Sequence, residues 1–321
     1  MSVLVFAEST EGAYKKSVFE QLSYAYHVAQ LLNTDVIALT FGEADYSQLG
    51  TYGASKVLAV KDILYKDFDA GLYATALAKG VEKTAADVII MAHNPSGRAI
   101  APRLSVLLKA GLASGAVDYP ITAGGFKVKR GVFSGKAFAY CVIDSEIKII
   151  TVTPNATAII ENPKPVSIEE WNPGLDSSTK KVTVTSIDRI KGKVPLSEAE
   201  LVVSAGRGLK GPENWGMIEE LADELGAATA CSRPVADSGW RPHYEHVGQT
   251  GGTIRPNLYL AIGISGAIQH LAGVNQSKVI AVINTDPEAP FFKAADYGII
   301  GDAFEVVPKL IEAAKKMKQE S

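Results

Sequence analysis

The chain has 321 residues, of which 47% are hydrophobic and 21% charged, and its formal net charge is −3. That length accommodates two domains of ordinary size, each with its own core, and the charge balance lacks the basic surplus typical of nucleic-acid-binding proteins. The two cysteines, Cys141 and Cys231, lie far apart, so neither a disulfide framework nor a cysteine-rich metal site is expected, and a reducing compartment is indicated.

The first residues run directly into a strand pattern, with no basic or apolar leader before it. No apolar run approaches the roughly 20 residues that cross a bilayer. We therefore expect a soluble chain that is not an integral membrane protein. A bacterial cytoplasm is the expected location, or the mitochondrial matrix if the chain is a processed eukaryotic one.

Short apolar runs alternate with helical patterns through the first half of the chain. The predicted strands are Val3–Ala7, Asp35–Thr40, Lys56–Val60 and Val88–Ala92, and the predicted helices are Lys16–Leu32, Ala70–Thr84 and Ile100–Leu108. This alternation predicts a mostly parallel sheet covered by helices.

From Asp118 onward the pattern becomes strand-rich, and it then loses regular periodicity. The predicted strands here are Lys127–Phe133, Ala137–Val142, Ile147–Val152, Ala158–Ile160 and Lys181–Ser186. Residues 162–193 are rich in Pro, Ser, Lys and Glu. At the end of this segment, residues 188–195 are predicted to be an interdomain linker. We predict an N-terminal domain over 1–190 and a C-terminal domain over 195–321.

A second α/β pattern begins at Glu200. Its predicted strands are Leu201–Ala205, Ala227–Cys231, Leu258–Ile262, Val279–Asn284 and Tyr297–Ile300, and its predicted helices are Trp215–Leu225, Ser265–Ala272 and Phe304–Lys318. The predicted fold class is therefore α/β, with two domains that each hold a mostly parallel sheet flanked by helices. The C-terminal domain is expected to be Rossmann-like.

A glycine motif follows the strand predicted over 201–205. Gly206, Gly208 and Gly211 satisfy G-x-G-x-x-G, where glycine permits a tight turn and a helix N-terminus offers free N–H groups to phosphate. The next strand ends at Cys231 without the acidic ribose ligand of a standard NAD site. The motif indicates either a phosphate-binding turn or a turn that only packs strand on helix.

Two further segments have the composition of ligand-binding loops. Residues 245–252 place Gln249 and Thr250 between glycines, so this loop either lines a ligand or only turns. After the strand 258–262, Ser265 is a plausible N-cap, and the following backbone amides would then face an anion. His270, about one turn into that helix, is either a structural histidine or a cofactor contact.

Polar residues also follow the last two predicted strands. Asn284 ends one of them and Asp302 follows the other. Ligands of open α/β sheets bind outside the carboxyl ends of strands. The glycine-rich and polar strand ends between 204 and 302 together predict one extended nucleotide cofactor.

Residues 258–284 resemble the signature of electron-transfer flavoprotein α subunits. They contain a Leu-Tyr strand, Gly-Ile-Ser-Gly, Ile-Gln-His, a glycine three residues after His270, and Ala-Val-Ile-Asn. Residues 204–210, 247–250 and 295–298 are also similar to that family, as is the opening Val-Leu-Val-Phe-Ala-Glu. The similarity covers essentially the whole chain and is most specific in the C-terminal third.

The resemblance implies FAD held chiefly by the C-terminal domain, with its flavin ring near the junction with a second subunit. The residues that it places at FAD are Arg207, Ser232, Arg233, Val247, Gly248, Gln249, Thr250, Ser265, Gly266, Ala267, Ile268, Gln269, His270, Asn284, Asp302 and Ala303. His246 stands where some relatives carry glutamine, so the polar contacts at that edge stay open.

The resemblance also implies roles for three side chains. Thr250 would hydrogen-bond near the flavin N5, while His270 would face the N1–C2=O edge with Arg233 nearby. Donor or positive groups there stabilise negative charge on the reduced flavin, and the partial positive charge of the helix predicted from Ser265 would add to them.

The implied assembly is a heterodimer with an electron-transfer flavoprotein β subunit, which commonly holds AMP. The chain would be an electron carrier rather than an enzyme with its own substrate. Donors would be flavin dehydrogenases such as the acyl-CoA dehydrogenases of fatty acid β-oxidation, and the acceptor a quinone oxidoreductase. The N-terminal domain would hold no cofactor and contribute to the β-subunit interface.

Three alternatives stay open. The first is an electron-bifurcating version, in which the β subunit carries a second FAD. The second is a Rossmann-type dehydrogenase, although no catalytic acid or base is well placed for it. The third is a pure binding module whose glycine loops are only turns. The polar loop His93–Arg98, after the strand 88–92, is either a ligand loop, a part of the subunit interface or a structural turn.

Overall fold

A computed structural model describes residues 2–187 and 194–320. This part of the chain forms two compact units, one from residues 2–132 and 138–187 and the other from residues 133–137 and 194–320. We call them the N-terminal unit and the C-terminal unit. Of the linker predicted over 188–195, residues 188–193 lie outside the described residues.

The N-terminal unit is built on a nine-stranded sheet with the order β11-β5-β4-β1-β6-β10-β7-β8-β9. Its strands, with a separate two-stranded ribbon β2/β3, are β1 (Val3–Phe6), β2 (Ser9–Thr10), β3 (Ala13–Tyr14), β4 (Val36–Phe41), β5 (Ala54–Val60), β6 (Val88–Ala92), β7 (Gly111–Ala116), β8 (Lys127–Val132), β9 (Ala137–Val142), β10 (Lys148–Val152) and β11 (Ser167–Glu170). The pairs from β11 to β7 are parallel, whereas β7 and β8 pair antiparallel. The mostly parallel sheet predicted from the sequence is confirmed.

Helices cover both faces of this sheet. They are α1 (Lys16–Leu32), α2 (Ser47–Thr51), α3 (Ala70–Thr84) and α4 (Pro95–Leu108). Successive residues of β1 point to opposite faces, so Val3 packs with α1 while Leu4 packs with α3 and α4. Burial on both faces explains why the central strands are continuous apolar runs rather than alternating ones.

Two predicted strands are wrong, because side chains bind their backbone groups. Ser23 of α1 both donates to the carbonyl of Ile160 and accepts from its N–H, each at 3.0 Å. Asp69 accepts the N–H groups of Lys181 and Val182 at 2.9 and 3.1 Å. The segments 158–160 and 181–186 are therefore irregular chain fixed to helices, not strands of the sheet.

The predictions also missed strands β7 and β11. Gly, Ala and Ser dominate β7, and Glu is frequent in β11; these residues have low strand propensity. Each strand instead forms because a neighbouring strand hydrogen-bonds to its backbone. β7 pairs with β10, and β11 pairs with β5.

The polar loop at 93–98 proves to be the start of α4, which begins at Pro95 rather than at the predicted Ile100. Asn94 caps the helix by accepting the Gly97 N–H at 2.8 Å. Glu8 then accepts from Asn94 Nδ2 at 2.7 Å and from Ser96 Oγ at 2.6 Å. The unit's own carboxylate thus satisfies these donors, which favours the structural interpretation of this loop.

The C-terminal unit holds a five-stranded, fully parallel sheet with the order β13-β12-β14-β15-β16. Its strands are β12 (Leu201–Ala205), β13 (Ala228–Cys231), β14 (Leu258–Ile262), β15 (Val279–Asn284) and β16 (Tyr297–Ile300), and its α-helices are α5 (Gly216–Leu225), α6 (Arg233–Asp237), α7 (Ile268–Val274) and α8 (Ala303–Glu320). Within this unit the order is 2-1-3-4-5, one of the two common doubly wound arrangements.

The two faces of this sheet carry separate cores. Leu260 of β14 packs on the face covered by α5 and α8, with Ile218 and Val307. Tyr259 points the other way, into a core with Val274 of α7 and Phe291. Ala261, two residues further along β14, points to the same face as Tyr259. Because the alanine side chain is small, the ring of Tyr259 fills the space beneath α7.

The helix predicted to start at Ser265 begins at Ile268 instead, and Ala267 is its N-cap residue. Gly266 has φ +82°, a left-handed conformation that interrupts a helix. A Cβ at Gly266 would lie 2.6 Å from the backbone nitrogen of Phe291. Close packing against Phe291 therefore fixes the chain at 266, and Ser265 does not cap the helix.

Candidate functional site

A cavity of about 470 Å³ opens at the carboxyl ends of β12 and β14. The chain leaves β12 for β13 on one side and returns to β14 on the other, so these two strands flank the topological switch point, where doubly wound sheets bind ligands. The cavity is lined by Gly206, Arg207, Ser232, Arg233, Pro234, His246, Val247, Gly248, Gln249, Thr250, Gly263, Ile264, Ser265, Ala267, Gln269 and His270.

Glycines bring the turns after β12 and β14 into direct backbone contact. The N–H of Gly208 donates to the carbonyl of Gly263 at 3.1 Å. A Cβ at Gly206 would lie 2.3 Å from that same carbonyl oxygen, and a Cβ at Gly208 would lie 2.6 Å from the Gly263 Cα. Glycine is required at these positions because the two turns approach each other too closely for a Cβ atom. Gly263 also has φ +60°, a left-handed conformation that favours glycine.

The third glycine of the motif does not share this role. A Cβ at Gly211 would meet the carboxylate of Glu213, and α5 begins only at Gly216, after two 3₁₀ turns. The turn after β12 therefore does not lead straight into a helix N-terminus, as a dinucleotide fingerprint would. The side chain of Arg207 is exposed at this turn.

The loop after His246 lies against α7. The N–H of Val247 donates to Cys231 at the end of β13, and the N–H of Gln249 donates to the carbonyl of Gln269 at 2.7 Å. A Cβ at Gly273 would lie 2.4 Å from the nitrogen of Gly248. The backbone of the loop is fixed by these contacts, while the side chains of Gln249 and Thr250 remain exposed.

A buried ion pair holds the start of this loop, and the sequence analysis did not identify it. The guanidinium of Arg241 donates to both carboxylate oxygens of Glu245 at 2.7 Å, and its Nη1 lies 2.8 Å from Glu219. Side-chain exposure is 15% for Arg241 and 3% for Glu245. The Arg241 guanidinium also lies over the ring of Trp215, 5.4 Å from its centroid. The one feature of the sequence that could have indicated this ion pair is an Arg followed four residues later by a Glu.

His270 is a buried side chain at the inner wall of the cavity, and it is 7% exposed. Its Nε2 lies 2.7 Å from the Tyr259 hydroxyl, and its Nδ1 has no hydrogen-bond partner among residues 2–187 and 194–320. Burial lowers the pKa of His270 to about 4, and the nearby His246 contributes in the same direction. At neutral pH the imidazole is therefore uncharged.

Positive charge at the cavity comes from arginines instead. The Arg233 side chain is 63% exposed, and its Nε lies 3.2 Å from Asp237 in an ion pair one helical turn away. Arg207 is exposed on the opposite turn. The cavity thus combines a neutral buried imidazole with two guanidinium groups at its exposed edge, an arrangement suited to an anionic ligand.

The structure brings most of the predicted site residues together at this cavity. Gly266 is instead packed on Phe291, and Ile268 is 59% exposed. Of the remaining predicted residues, Asn284 is the last residue of β15, and Asp302 and Ala303 follow β16, further along the same edge of the sheet. Lining residues that the prediction omitted are Gly206, Pro234, His246, Gly263 and Ile264. Gly206 and His246 had been noted from the glycine motif and from the family comparison.

Acidification is expected to destabilise the C-terminal unit through His270. Because the folded pKa of about 4 lies below the ordinary 6.5, the unfolded chain binds a proton between these values and the folded chain does not. The free energy of unfolding therefore falls as pH drops through this window. Between pH 7.5 and pH 5 the loss from this group is about 2 kcal/mol.

Urea unfolding of the wild type and of His270→Gln at both pH values measures this loss. His93, whose pKa burial also lowers to about 4, is present in both proteins and cancels in the comparison. An identical pH dependence in the two proteins would contradict the assignment to His270.

The C-terminal unit is a doubly wound α/β unit with a cavity at its switch point, the place where proteins of this class bind their ligands. Residues 3–176 match the family described as "Electron transfer flavoprotein domain", and residues 195–275 match "Electron transfer flavoprotein FAD-binding domain". The chain belongs to the family of electron transfer flavoprotein α subunits.

Relatives align over nearly the full length of both chains. An electron transfer flavoprotein subunit alpha of Syntrophomonas wolfei is 37% identical, covering 97% of this chain and 98% of its own. That of Bacillus subtilis is 37% identical, covering 98% of each. A protein FixB of Clostridium saccharobutylicum is 34% identical, covering 98% of this chain and 96% of its own.

The described part of the chain has neither a membrane-spanning helix nor a cluster of metal ligands. None of its helices combines the length and apolar composition needed to span a bilayer. No three or more His, Cys, Asp or Glu side chains there are grouped so as to hold a metal ion.

Proposed function

We propose that this chain binds FAD across the strand ends of the C-terminal sheet and passes electrons as the α subunit of a heterodimeric electron-transfer flavoprotein. It would be a carrier without a substrate of its own. The observation that carries this proposal is the cavity between β12 and β14, at whose wall His270 keeps a buried Nδ1 without a partner among the described residues. A buried polar atom costs about 1–3 kcal/mol unless a hydrogen bond satisfies it, and a ligand in the cavity would supply that bond.

The residues present fit a flavin nucleotide. The glycine contacts at 206, 208 and 263 hold the turns after β12 and β14 together beside the cavity, and Gly206 and Gly263 in its wall have no side chain to block a flat ligand from the backbone. Exposed Gln249 and Thr250 offer hydrogen-bonding side chains at one wall, and His270 offers its free nitrogen at another. Arg207 and Arg233 would offset the charge of the pyrophosphate or of the reduced ring.

FAD is longer than this cavity. We propose that its flavin half occupies the cavity, touching Arg207, Ser232, Arg233, Val247, Gly248, Gln249, Thr250, Ser265, Ala267, Gln269 and His270. The adenosine half would then extend along the carboxyl edge of the sheet past Asn284 toward Asp302 and Ala303. Gly266 and Ile268 would contribute backbone rather than side chains.

Bound FAD supplies the one- and two-electron chemistry, and the protein adjusts it. Thr250 would hydrogen-bond at the flavin N5. His270, neutral at pH 7, would act as a hydrogen-bond donor to the N1–C2=O edge, with the Arg233 charge nearby. Hydrogen-bond donors and positive charges of this kind favour the reduced, more negative flavin ring, because they stabilise the negative charge that forms at that edge.

The partner would be a β subunit that holds AMP. The edge strand β16 supports a protein partner, because Tyr297, Ile299 and Ile300 are 69%, 44% and 66% exposed, and apolar patches of this kind mark interaction surfaces. Flavin dehydrogenases such as acyl-CoA dehydrogenases are the proposed donors, and a quinone oxidoreductase the proposed acceptor. A β subunit holding a second FAD would instead make the pair electron-bifurcating.

Co-expression with an electron-transfer flavoprotein β subunit from the same organism, followed by counting cofactors per heterodimer, tests the proposal. We expect a yellow complex with one FAD on this chain and one AMP on its partner. Two FAD per heterodimer would indicate the bifurcating version. A colourless complex that does not take up added FAD would refute the proposal, and NAD-dependent turnover without flavin would favour a dehydrogenase.

A further inference from the structure

The contact beneath the cavity joins Tyr259 of β14 to His270 of α7. Tyr259 is fully buried, and its hydroxyl lies 2.7 Å from His270 Nε2. The ring of Phe291 packs on both, with centroids 6.2 Å from Tyr259 and 5.7 Å from His270. The tyrosine hydroxyl and the imidazole are therefore held in one relative orientation by the surrounding core.

The protonation states of the pair determine the direction of this hydrogen bond. Burial raises the pKa of the Tyr259 phenol and lowers that of His270 to about 4, so both groups are neutral near pH 7. A phenol O–H is a better donor than an imidazole N–H, and an imidazole nitrogen is a better acceptor than a phenol oxygen. The Ser204 hydroxyl also acts on the Tyr259 phenol and lowers its pKa against the effect of burial, as a donor to the phenol oxygen does. With its oxygen accepting from Ser204, the Tyr259 hydroxyl keeps its hydrogen for Nε2.

A neutral imidazole carries one proton, and the hydrogen bond at one ring nitrogen fixes it on the other. With Nε2 accepting from Tyr259, the proton of His270 resides on Nδ1. This nitrogen is the one without a partner among residues 2–187 and 194–320. His270 is one of the residues that line the cavity, and in this tautomer its Nδ1 is a hydrogen-bond donor and not an acceptor.

We propose that Tyr259 is a positioning residue that holds His270 in its Nδ1–H tautomer, so that the imidazole donates to an acceptor atom at the edge of the bound flavin. The inference rests on the proposed function for the identity of the ligand. The contact that sets the tautomer, from the Tyr259 hydroxyl to His270 Nε2, lies within this chain. A ligand edge made of carbonyl oxygens and unprotonated nitrogens matches a single N–H donor.

The tautomer can be read directly from ¹⁵N chemical shifts. In the heterodimer with ¹⁵N-labelled histidine, two-bond correlations distinguish a protonated Nδ1 from a protonated Nε2, and His270→Gln identifies the signals. We expect Nδ1–H in the wild type at pH 7. A protonated Nε2 in the wild type would overturn the proposal, whether or not any variant folds.

Removal of one oxygen atom, in Tyr259→Phe, tests the consequence for the flavin. We expect FAD content to stay within error of the wild type, the Nε2–H tautomer of His270 to appear, and the preference of the site for reduced flavin to fall about tenfold. For a one-electron step that equals a shift of about 59 mV to more negative potential. An unchanged tautomer with an unchanged potential would refute the role of Tyr259.

Tyr24→Phe is the matched control. Tyr24 is fully buried in the N-terminal unit, and its hydroxyl donates to the carbonyl of Asp118 at 3.0 Å. This variant loses the same atom and one buried hydrogen bond, so it reproduces any general loss of stability. We expect its tautomer and potential to match the wild type, and equal shifts in both variants would contradict a specific role for Tyr259.

The two proposals fail in different ways. A complex that does not take up FAD ends the proposed function, but the tautomer of His270 can still be measured on that protein. A yellow complex in which Tyr259→Phe changes neither the tautomer nor the potential leaves the flavin proposal standing and ends the present inference.

Discussion

Gly206→Ala is expected to destabilise the C-terminal unit by about 3 kcal/mol and to weaken FAD binding at least about tenfold. The added Cβ would lie 2.3 Å from the carbonyl oxygen of Gly263 and 2.9 Å from Ile264. The nearer atom belongs to the backbone, so no side chain can rotate away and the two turns must separate. Urea unfolding and FAD titration of the isolated variant measure the two effects.

Gly216→Ala provides the control. A Cβ there meets nothing within 4 Å, its φ is not in the left-handed region, and it is the first residue of α5. Alanine is favoured over glycine in helices, so stability should be unchanged or up by about 0.5 kcal/mol. Equal stability and equal FAD affinity in the two variants would show that the backbone contact between the turns does not matter.

Arg241→Ala is expected to lower the free energy of unfolding by about 3–5 kcal/mol, because it removes a bidentate guanidinium from the buried Glu245 carboxylate. Thr229 Oγ1 lies 3.2 Å from that carboxylate, and a neutral hydroxyl does not replace a bidentate guanidinium. Since Glu245 directly precedes the loop at the cavity, FAD affinity should fall as well. Urea unfolding followed by the fluorescence of Trp215 and Trp240, both in the C-terminal unit, gives the first quantity.

Lys315→Ala is the matched ion-pair control. Lys315 pairs with Glu220 at 2.7 Å, but the side chains are 47% and 51% exposed. Exposed pairs contribute little because water and salt screen them, so we expect little or no change in stability. The double variant Arg241→Met with Glu245→Gln should recover part of the loss, since no buried charge remains. A loss in Arg241→Ala no larger than in Lys315→Ala would contradict the account.

These variants separate two parts of the site. Glycine turns and the Arg241–Glu245 pair form the rigid frame that places the loop and α7 around the cavity. Thr250, His270 and Arg233 are the groups proposed to act on the flavin. Variants of the frame should change stability and FAD affinity together, whereas Tyr259→Phe should change the flavin potential while FAD content is retained.

The strands and turns that form the cavity can be predicted from local patterns in the sequence. Leu201–Ala205, in which Ser204 is the one polar residue, and Leu258–Ile262 are mainly apolar runs of strand length, each followed by a glycine, and the structure has strands with those bounds. Such features are local, because a fully buried parallel strand needs a mainly apolar run and a close turn needs glycine. Most of the predicted site residues meet at one cavity for the same reason: carboxyl ends of parallel strands share one edge of a sheet.

Tertiary structure alone decided the features that depend on distant residues. Phe291 forces Gly266 out of helical conformation and moves the start of α7 to Ile268. Asp69 and Ser23 bind backbone groups that two predicted strands would have needed. Tyr259 and His270 meet only because β14 packs under α7. No local pattern encodes these contacts, since each depends on which side chains the packed sheet brings within hydrogen-bonding distance.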